Sequence, residues 1–264
     1  MSSEYYLNGA PLDDPEGRWL VMDGTLLPSI ASPVNISVTI PRRDGILPMP
    51  TTSYGTATVT IAFMVQDTVN GRLGGGRGAL DANFNLLLSR LRFRDALAPL
   101  GYYPAGGEPR SAMVRLQSIS SPVYYHPEKI IEITAVFEIP SGAFRSDHVY
   151  TMPDNDLSQL DGGAMPILDP LFKLVPTKTS VVIEDAHSRS KITWNGPLKA
   201  GKHLVIGPDS YWAEWTDGAW EGGEDASSGL SITSRGFRLT PDLNGHYASY
   251  MFGGSGQVRA QKVF

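Results

Sequence analysis

The sequence predicts a mainly β chain of two domains: an α+β first domain in which strands carry one helix, and a second built from strands alone. Three observations carry this. The first half holds long runs of strict apolar/polar alternation; one stretch has helical spacing; the second half breaks into short alternating runs divided by turn signals. At 264 residues the chain passes the size at which one core keeps growing, so two cores are expected.

The first run sets Val34, Ile36, Val38 and Ile40 against Asn35, Ser37 and Thr39, the mark of a half-buried strand. Pro41 lacks the N–H to continue a central ladder, and Asp44-Gly45 suits a tight turn. The strand therefore ends by displaying Arg42, Arg43 and Asp44; on pattern alone this is a solvated strand end. Ala57, Val59, Ile61, Phe63 and Val65 alternate next with Thr58, Thr60, Ala62, Met64 and Gln66. Arg110 to Ile119 reads as a strand hiding Ala112, Val114 and Leu116. Ile131 to Ile139 repeats the alternation with Glu132, Thr134 and Glu138 on its wet face.

Between these strands the spacing of Phe84, Leu87, Leu88 and Leu91 predicts an amphipathic helix over about 81–97, with Asp81 as its cap and Pro99 as its stop. The glycine-rich stretch Gly71 to Gly78 precedes it. It lacks the Lys-Ser/Thr pair of a P-loop and the spacing of a dinucleotide fingerprint, so it reads as a flexible surface loop offering Arg72 and Arg77 to a neighbour. An antiparallel sheet or β-barrel of the split-barrel kind, crossed by one helix, is expected for residues 1–145.

Periodicity lapses from Ser141 to Pro170, where Gly, Pro, Asp and Ser accumulate. Residues 146–170 are accordingly expected to be a linker. Short strands follow at Thr179–Ile183, Lys191–Trp194, His203–Ile206, Tyr211–Trp215, Leu230–Thr233, Phe237–Leu239, Tyr247–Phe252 and Gln257–Val263, punctuated by Asn195-Gly196, Asp217-Gly218 and Asn244-Gly245. Residues 171–264 are expected to form a β-sandwich.

Chemistry-bearing motifs are scarce. The chain has no cysteine, so neither a disulfide framework nor a thiolate site is open to it. Its five histidines lack metal-ligand spacing, and the acidic run at Asp154 to Asp156 has Gln159 and Met165 where a calcium loop needs Gly and Glu. No Gly-x-Ser-x-Gly elbow occurs. No cofactor and no catalytic residues are expected. A net charge of −5 argues against a dedicated nucleic-acid surface and leaves room only for non-specific contact with DNA. Nothing reads as a signal peptide or a bilayer span. The best small-molecule candidate is Trp212, Glu214, Trp215 and Trp220, indoles beside carboxylates, a composition suited to sugar rings. Trp212 and Trp215 fall on opposite faces of an extended strand, so one of them is expected in the core.

The Pro41-Arg42-Arg43-Asp44-Gly45 strand end, the helix around Phe84 to Leu91 and the strand ending Phe137-Glu138-Ile139-Pro140 together resemble the distal tail proteins of long, non-contractile-tailed bacteriophages. In the second half, Gly163 to Pro170, Ile192 to Leu198 and the Phe237-Arg238-Leu239-Thr240-Pro241 step are similar to the galectin-like sandwich that ends such proteins. The resemblance implies a homo-hexameric ring at the tail tip or baseplate of the virion, assembled in the bacterial cytoplasm. It implies as partners the tail tube protein, the tape-measure protein, the baseplate hub or tail-associated protein, and a receptor-binding protein or host glycan. In that setting Arg42, Arg43 and Asp44 become candidate inter-subunit contacts, while Arg72 and Arg77 become candidate contacts to tube, hub or channel. The competing reading is an attachment protein binding host-surface glycans through its second domain; an envelope hydrolase is weaker still.

Overall fold

A computed structural model of the chain describes residues 4–22, 25, 37–39, 46–48, 55–92, 96–125, 129–232 and 236–264, with backbone alone at 37–39 and 46–48. The chain divides into two compact units, Met1–Phe144 and Arg145–Phe264. The architecture is mainly β, with one α-helix among the described residues.

The first unit contains β1 (Tyr5–Leu7), β2 (Ala10–Pro11), β3 (Trp19–Val21), β4 (Ser37–Thr39), β5 (Ile46–Pro48), β6 (Ala57–Gln66), α1 (Gly76–Leu91), β7 (Ala98–Tyr102), β8 (Arg110–Ile119), β9 (Val123–Tyr125) and β10 (Ile130–Ile139). The main antiparallel sheet runs in the order β2-β1-β7-β8-β10-β6-β3. Its centre is the β6/β10 pair, where Ile131 faces Val65, Ile133 faces Phe63, Ala135 faces Ile61 and Phe137 faces Val59. All eight of these side chains are buried. Full burial stabilises each of the larger ones by roughly 1.5–3 kcal/mol, and a one-residue slip would turn all of them to the other face.

The ends of this strand order meet. The Trp19 indole N–H of β3 donates to the Leu12 carbonyl at 2.8 Å, just beyond β2, and the Asp14 N–H donates to the Trp19 carbonyl at 3.0 Å. The sheet is thereby curled into a half-barrel. α1 lies against β6 and β10, burying Leu80, Asn83, Leu87 and Leu91. Asn83 is satisfied by donating to the carbonyls of Gln66 at 2.8 Å and Thr68 at 2.9 Å, which ties the helix to the end of β6.

The helix starts at Gly76, five residues before the expected Asp81, because its cap comes from an earlier part of the chain. Asp67 is buried, and its carboxylate accepts from the N–H groups of Gly74 at 3.3 Å and Gly76 at 3.1 Å. Gly75 donates to the Asp67 carbonyl at 2.9 Å. A Cβ on Gly75 would stand 2.5 Å from Val69 Cγ2 and 2.8 Å from that carbonyl, so only glycine lets the chain pass here. Asp81 instead sits inside the helix, paired with Arg77. At the other end the helix stops at Leu91, and the expected stop residue Pro99 lies within β7.

The second unit holds β11 (Arg145–Ser146), β12 (Tyr150–Pro153), β13 (Leu171–Pro176), β14 (Ser180–Asp185), β15 (Lys191–Asn195), β16 (His203–Gly207), β17 (Trp212–Thr216), β18 (Glu224–Asp225), β19 (Leu230–Ile232), β20 (Ser249–Phe252) and β21 (Gly254–Ala260). Two antiparallel sheets, β12-β21-β13-β16-β17-β18 and β19-β15-β14-β20, share one apolar core. Trp194 of β15 and Trp215 of β17 join them edge to face, with ring centroids 5.4 Å apart. The Trp194 indole N–H is satisfied by the Ala226 carbonyl at 3.0 Å.

The stretch expected as a linker is folded into this unit. β12 pairs with β21 from Tyr150↔Ala260 to Pro153↔Gln257, Ala164 and Met165 both donate to the Val263 carbonyl at 2.8 and 3.2 Å, and Ile167 exchanges bonds with Leu239. Met152, Leu157, Leu160, Met165 and Ile167 are all buried. These anchors are spaced irregularly, so they leave no period to detect. β13, with buried Phe172 and Leu174, is a further strand the pattern reading does not contain.

Candidate interaction surfaces

Arg42, Arg43 and Asp44 lie outside the described residues. The flanking strands are described: β4 pairs antiparallel with β5, Val38 opposite Leu47. The glycine-rich stretch is ordered rather than loose. Val69 and Arg72 exchange backbone bonds of 2.9 and 3.0 Å across Asn70 and Gly71, which both hold positive φ, the geometry of a tight hairpin turn. Arg72 projects from that turn into solvent. Arg77 is engaged within its own unit: it grips both oxygens of Asp81 at 3.0 and 3.1 Å, and its guanidinium stands 4.7 Å from the centre of the Tyr124 ring.

Tyr124 belongs to β9, whose three residues are all exposed. β9 continues the line of β8 alongside β10, with Val123 opposite Glu132 and Tyr125 opposite Ile130. Val123, Tyr124 and Tyr125 are all exposed, as are Val69 and Leu73 near the start of the helix. β7 covers β8 only from Arg110 to Val114. Aromatic and apolar side chains beside arginines have the composition of protein-binding surfaces, and a strand edge offers backbone groups to another chain.

In the second unit the four aromatic and acidic candidates do not form one platform. Trp215 is in the core, as expected for one of the strand's tryptophans. Trp212 is on the opposite face and lies over Gly207, where an added Cβ would be 2.3 Å from the indole nitrogen. Glu214 accepts from the Gly223 N–H at 2.9 Å, holding the 217–223 loop. Trp220 sits on that loop, with Lys173 Nζ 4.6 Å and the Arg259 guanidinium 5.8 Å from its ring centre. Lys173 also donates to the Gly218 carbonyl at 2.9 Å. The loop is folded back over its sheet, and Val205 and Thr216 on that outer face are buried.

A groove of 350 Å³ opens on this same unit, lined by Asp154, Lys173, Val175, His203, Ser255, Gly256 and Gln257. Among the described residues no three His, Cys, Asp or Glu side chains are grouped to hold a metal ion, and no helix is long and apolar enough to cross a membrane.

The fold has a counterpart among solved structures. The crystal structure of the SPP1 Dit protein, described as a paradigm of the hub adsorption apparatus in phages infecting Gram-positive bacteria, superposes with a TM-score of 0.56 at 15% identity, over 99% of this chain and 98% of that one. The chain shares the fold of SPP1 Dit. Phage P2 baseplate structures in the activated conformation, with Ca and with Sr, align over 93% of the chain at TM-scores of 0.35 and 0.34 and identities of 9% and 10%. No family model matches the sequence, and no curated protein matches it.

Several residues that shape these surfaces escape sequence reading. Asp67 has no helix-start signature, because it lies before the glycines it caps. Lys173 and Arg259 meet Trp220 from strands remote in sequence. Tyr124 lies in a three-residue strand too short to show a period.

Proposed function

We propose that this chain is a distal tail protein: a structural virion component that closes into a homo-hexameric ring at the phage tail tip, joins the tail tube to the baseplate hub and anchors adsorption proteins, without catalytic activity. The observation that carries the reading is the fold shared with SPP1 Dit over nearly the whole of both chains. The exposed β9 edge of the first unit supports it, since a ring subunit must offer a face that another copy completes. Arg42, Arg43 and Asp44 are proposed as further contacts between subunits, and Arg72 as a contact to tube, hub or channel.

Mass measurement and negative-stain microscopy of the purified chain, alone and with its tube and hub partners, test this. Rings of six identical subunits are expected. Val123→Lys with Tyr125→Lys, at exposed positions, is expected to leave a folded monomer that no longer closes. A chain that stays monomeric at high concentration and with those partners would overturn the proposal.

A further inference from the structure

We infer that β20, the last strand of the four-stranded sheet, pairs with β20 of a second copy of this chain about a two-fold axis at Tyr250. The strand has one bonded side and one open side. The sheet runs β19-β15-β14-β20, and among the described residues only β14 pairs with β20. The Ala186 N–H donates to the Ala248 carbonyl at 3.0 Å, and the register continues as Glu184↔Tyr250 and Val182↔Phe252. Successive residues of an antiparallel strand turn their backbone groups to opposite sides, so Ala248, Tyr250 and Phe252 serve β14. Ser249 and Met251 aim their N–H and C=O groups away from it.

Nothing in the strand discourages a partner. Open edges are commonly blunted with charge or proline, and the six-stranded sheet has this at both ends: β18 is Glu224–Asp225, and β12 closes on Pro153. Residues 248–252, Ala-Ser-Tyr-Met-Phe, hold neither. On β14 the buried Val181, Ile183 and Asp185 alternate with Val182 and Glu184, so Tyr250 and Phe252 stand on the outer face, 50% and 58% exposed.

The open side is complementary to itself in one register. An antiparallel copy must set outward residues against outward residues, which places the axis at Ser249, Tyr250 or Met251. An axis at Met251 would call on the Gly253 carbonyl, which already accepts from Thr177 and Lys178 at 2.8 and 3.2 Å. An axis at Ser249 would set Met251 against Tyr247, outside the strand. With the axis at Tyr250, Ser249 and Met251 exchange bonds with Met251 and Ser249 of the copy, and every outward group of the strand is satisfied. The two Tyr250 rings then meet on the axis, and each Phe252 lies opposite the small Ala248 of the copy. Glu184, beside Tyr250, is already paired with Lys191 at 2.9 Å and Arg189 at 3.4 Å, so no unpaired carboxylates are brought together. All these residues lie in the second unit, so the pairing does not rest on ring closure by the first. A two-fold contact closes on itself; between rings it would tie one to another.

The chain has no cysteine, so single introduced thiols report the register. Tyr250→Cys and Phe252→Cys full-length chains, oxidised with diamide and followed on non-reducing gels, test it. The Tyr250→Cys thiols would sit on Cα atoms about 4.5 Å apart, within disulfide reach. Those of Phe252→Cys would be four residues apart along the strands, about 14 Å, and out of reach. Linked dimer is expected at least about tenfold faster from the first. In a chain carrying Val123→Lys and Tyr125→Lys to hold first units apart, sedimentation should show a dimer. Adding Tyr250→Lys, which sets ammonium against ammonium on the axis, should weaken it about tenfold. Equal rates at the two cysteines, no link at Tyr250→Cys, a strict monomer in sedimentation, or a dimer indifferent to Tyr250→Lys would each overturn the inference. None of these outcomes depends on whether the first unit forms a ring.

Discussion

The first unit buries its apolar residues along two ten-residue strands in direct register, whereas the second distributes its core over short strands in two sheets bridged by a tryptophan pair. Their outer surfaces differ in a corresponding way. Long strands outrun their neighbours: β10 is longer than β8 covers, and β9, which fills the remainder, is exposed along its whole length. Short strands are easily covered. The 217–223 loop folds back over β16 and β17, buries Val205, and is held by Glu214 and Lys173. The two units thus stay uncovered in different places: along a strand in the first, and at a small groove in the second.

The largest effect expected from breaking this comparison is in the sandwich core. Trp194→Ala removes a fully buried indole, its contact with Trp215 and the bond to Ala226, a loss of about 3–5 kcal/mol. Calorimetry should show the second unit's transition displaced or abolished while the first unit's remains. A common shift of both would show that the units unfold together. Next comes Asp67→Ala, which strips the cap from Gly74 and Gly76 inside the first unit. A destabilisation of about 1–3 kcal/mol is expected in chemical denaturation, confined to that unit and accompanied by faster amide exchange at the start of α1.

Smaller effects separate the units by pH. Burial opposes ionisation of Asp14, but bonds from the Arg18 side chain and from backbone N–H groups outweigh it and hold its pKa below the ordinary value. Its stabilisation is therefore complete above the unfolded value of about 3.9 and is lost as pH falls through the lower folded value. Asp14→Asn should abolish that part of the first unit's acid sensitivity in pH-resolved melts.

One histidine of the second unit responds in the opposite direction and more weakly. His246 is bonded to Asp161 at 2.7 Å, and this carboxylate raises the imidazole pKa. The contribution is full below about pH 6.5 and disappears as pH rises through the elevated folded value. His246→Gln should remove a small alkaline weakening of the second unit alone. An alkaline weakening of the second unit that survives His246→Gln would show that the Asp161 pairing does not cause it.

The long strands were legible because burial follows side-chain alternation directly. β6 and β10 occupy the residues their period marks, and most of the short strands of the second unit overlap their expected spans, but the strand expected at Phe237–Leu239 is reduced to a single bridge between Ile167 and Leu239. The helix shows the limit. Leu87 and Leu91 are buried as their spacing implies, but the start of α1 depends on Asp67, an aspartate nine residues before the N–H of Gly76 that it accepts. No local rule links them. The expected linker failed for a related reason, since Leu160 and Ile167 are anchors set by partners far along the chain.

The sequence by itself determined the mainly β class, the placement of the strongest strands, the existence of one amphipathic helix and the burial of one of two neighbouring tryptophans. All of these follow from side-chain direction and hydrophobic period, which are local. Tertiary structure alone decided which strands neighbour one another, which edge stays open, that Trp220 lies over Lys173, and that Asp154, His203 and Gln257 share a groove. Those are encounters between segments separated by tens of residues, and they are fixed by the packing of whole sheets rather than by any one segment's preference.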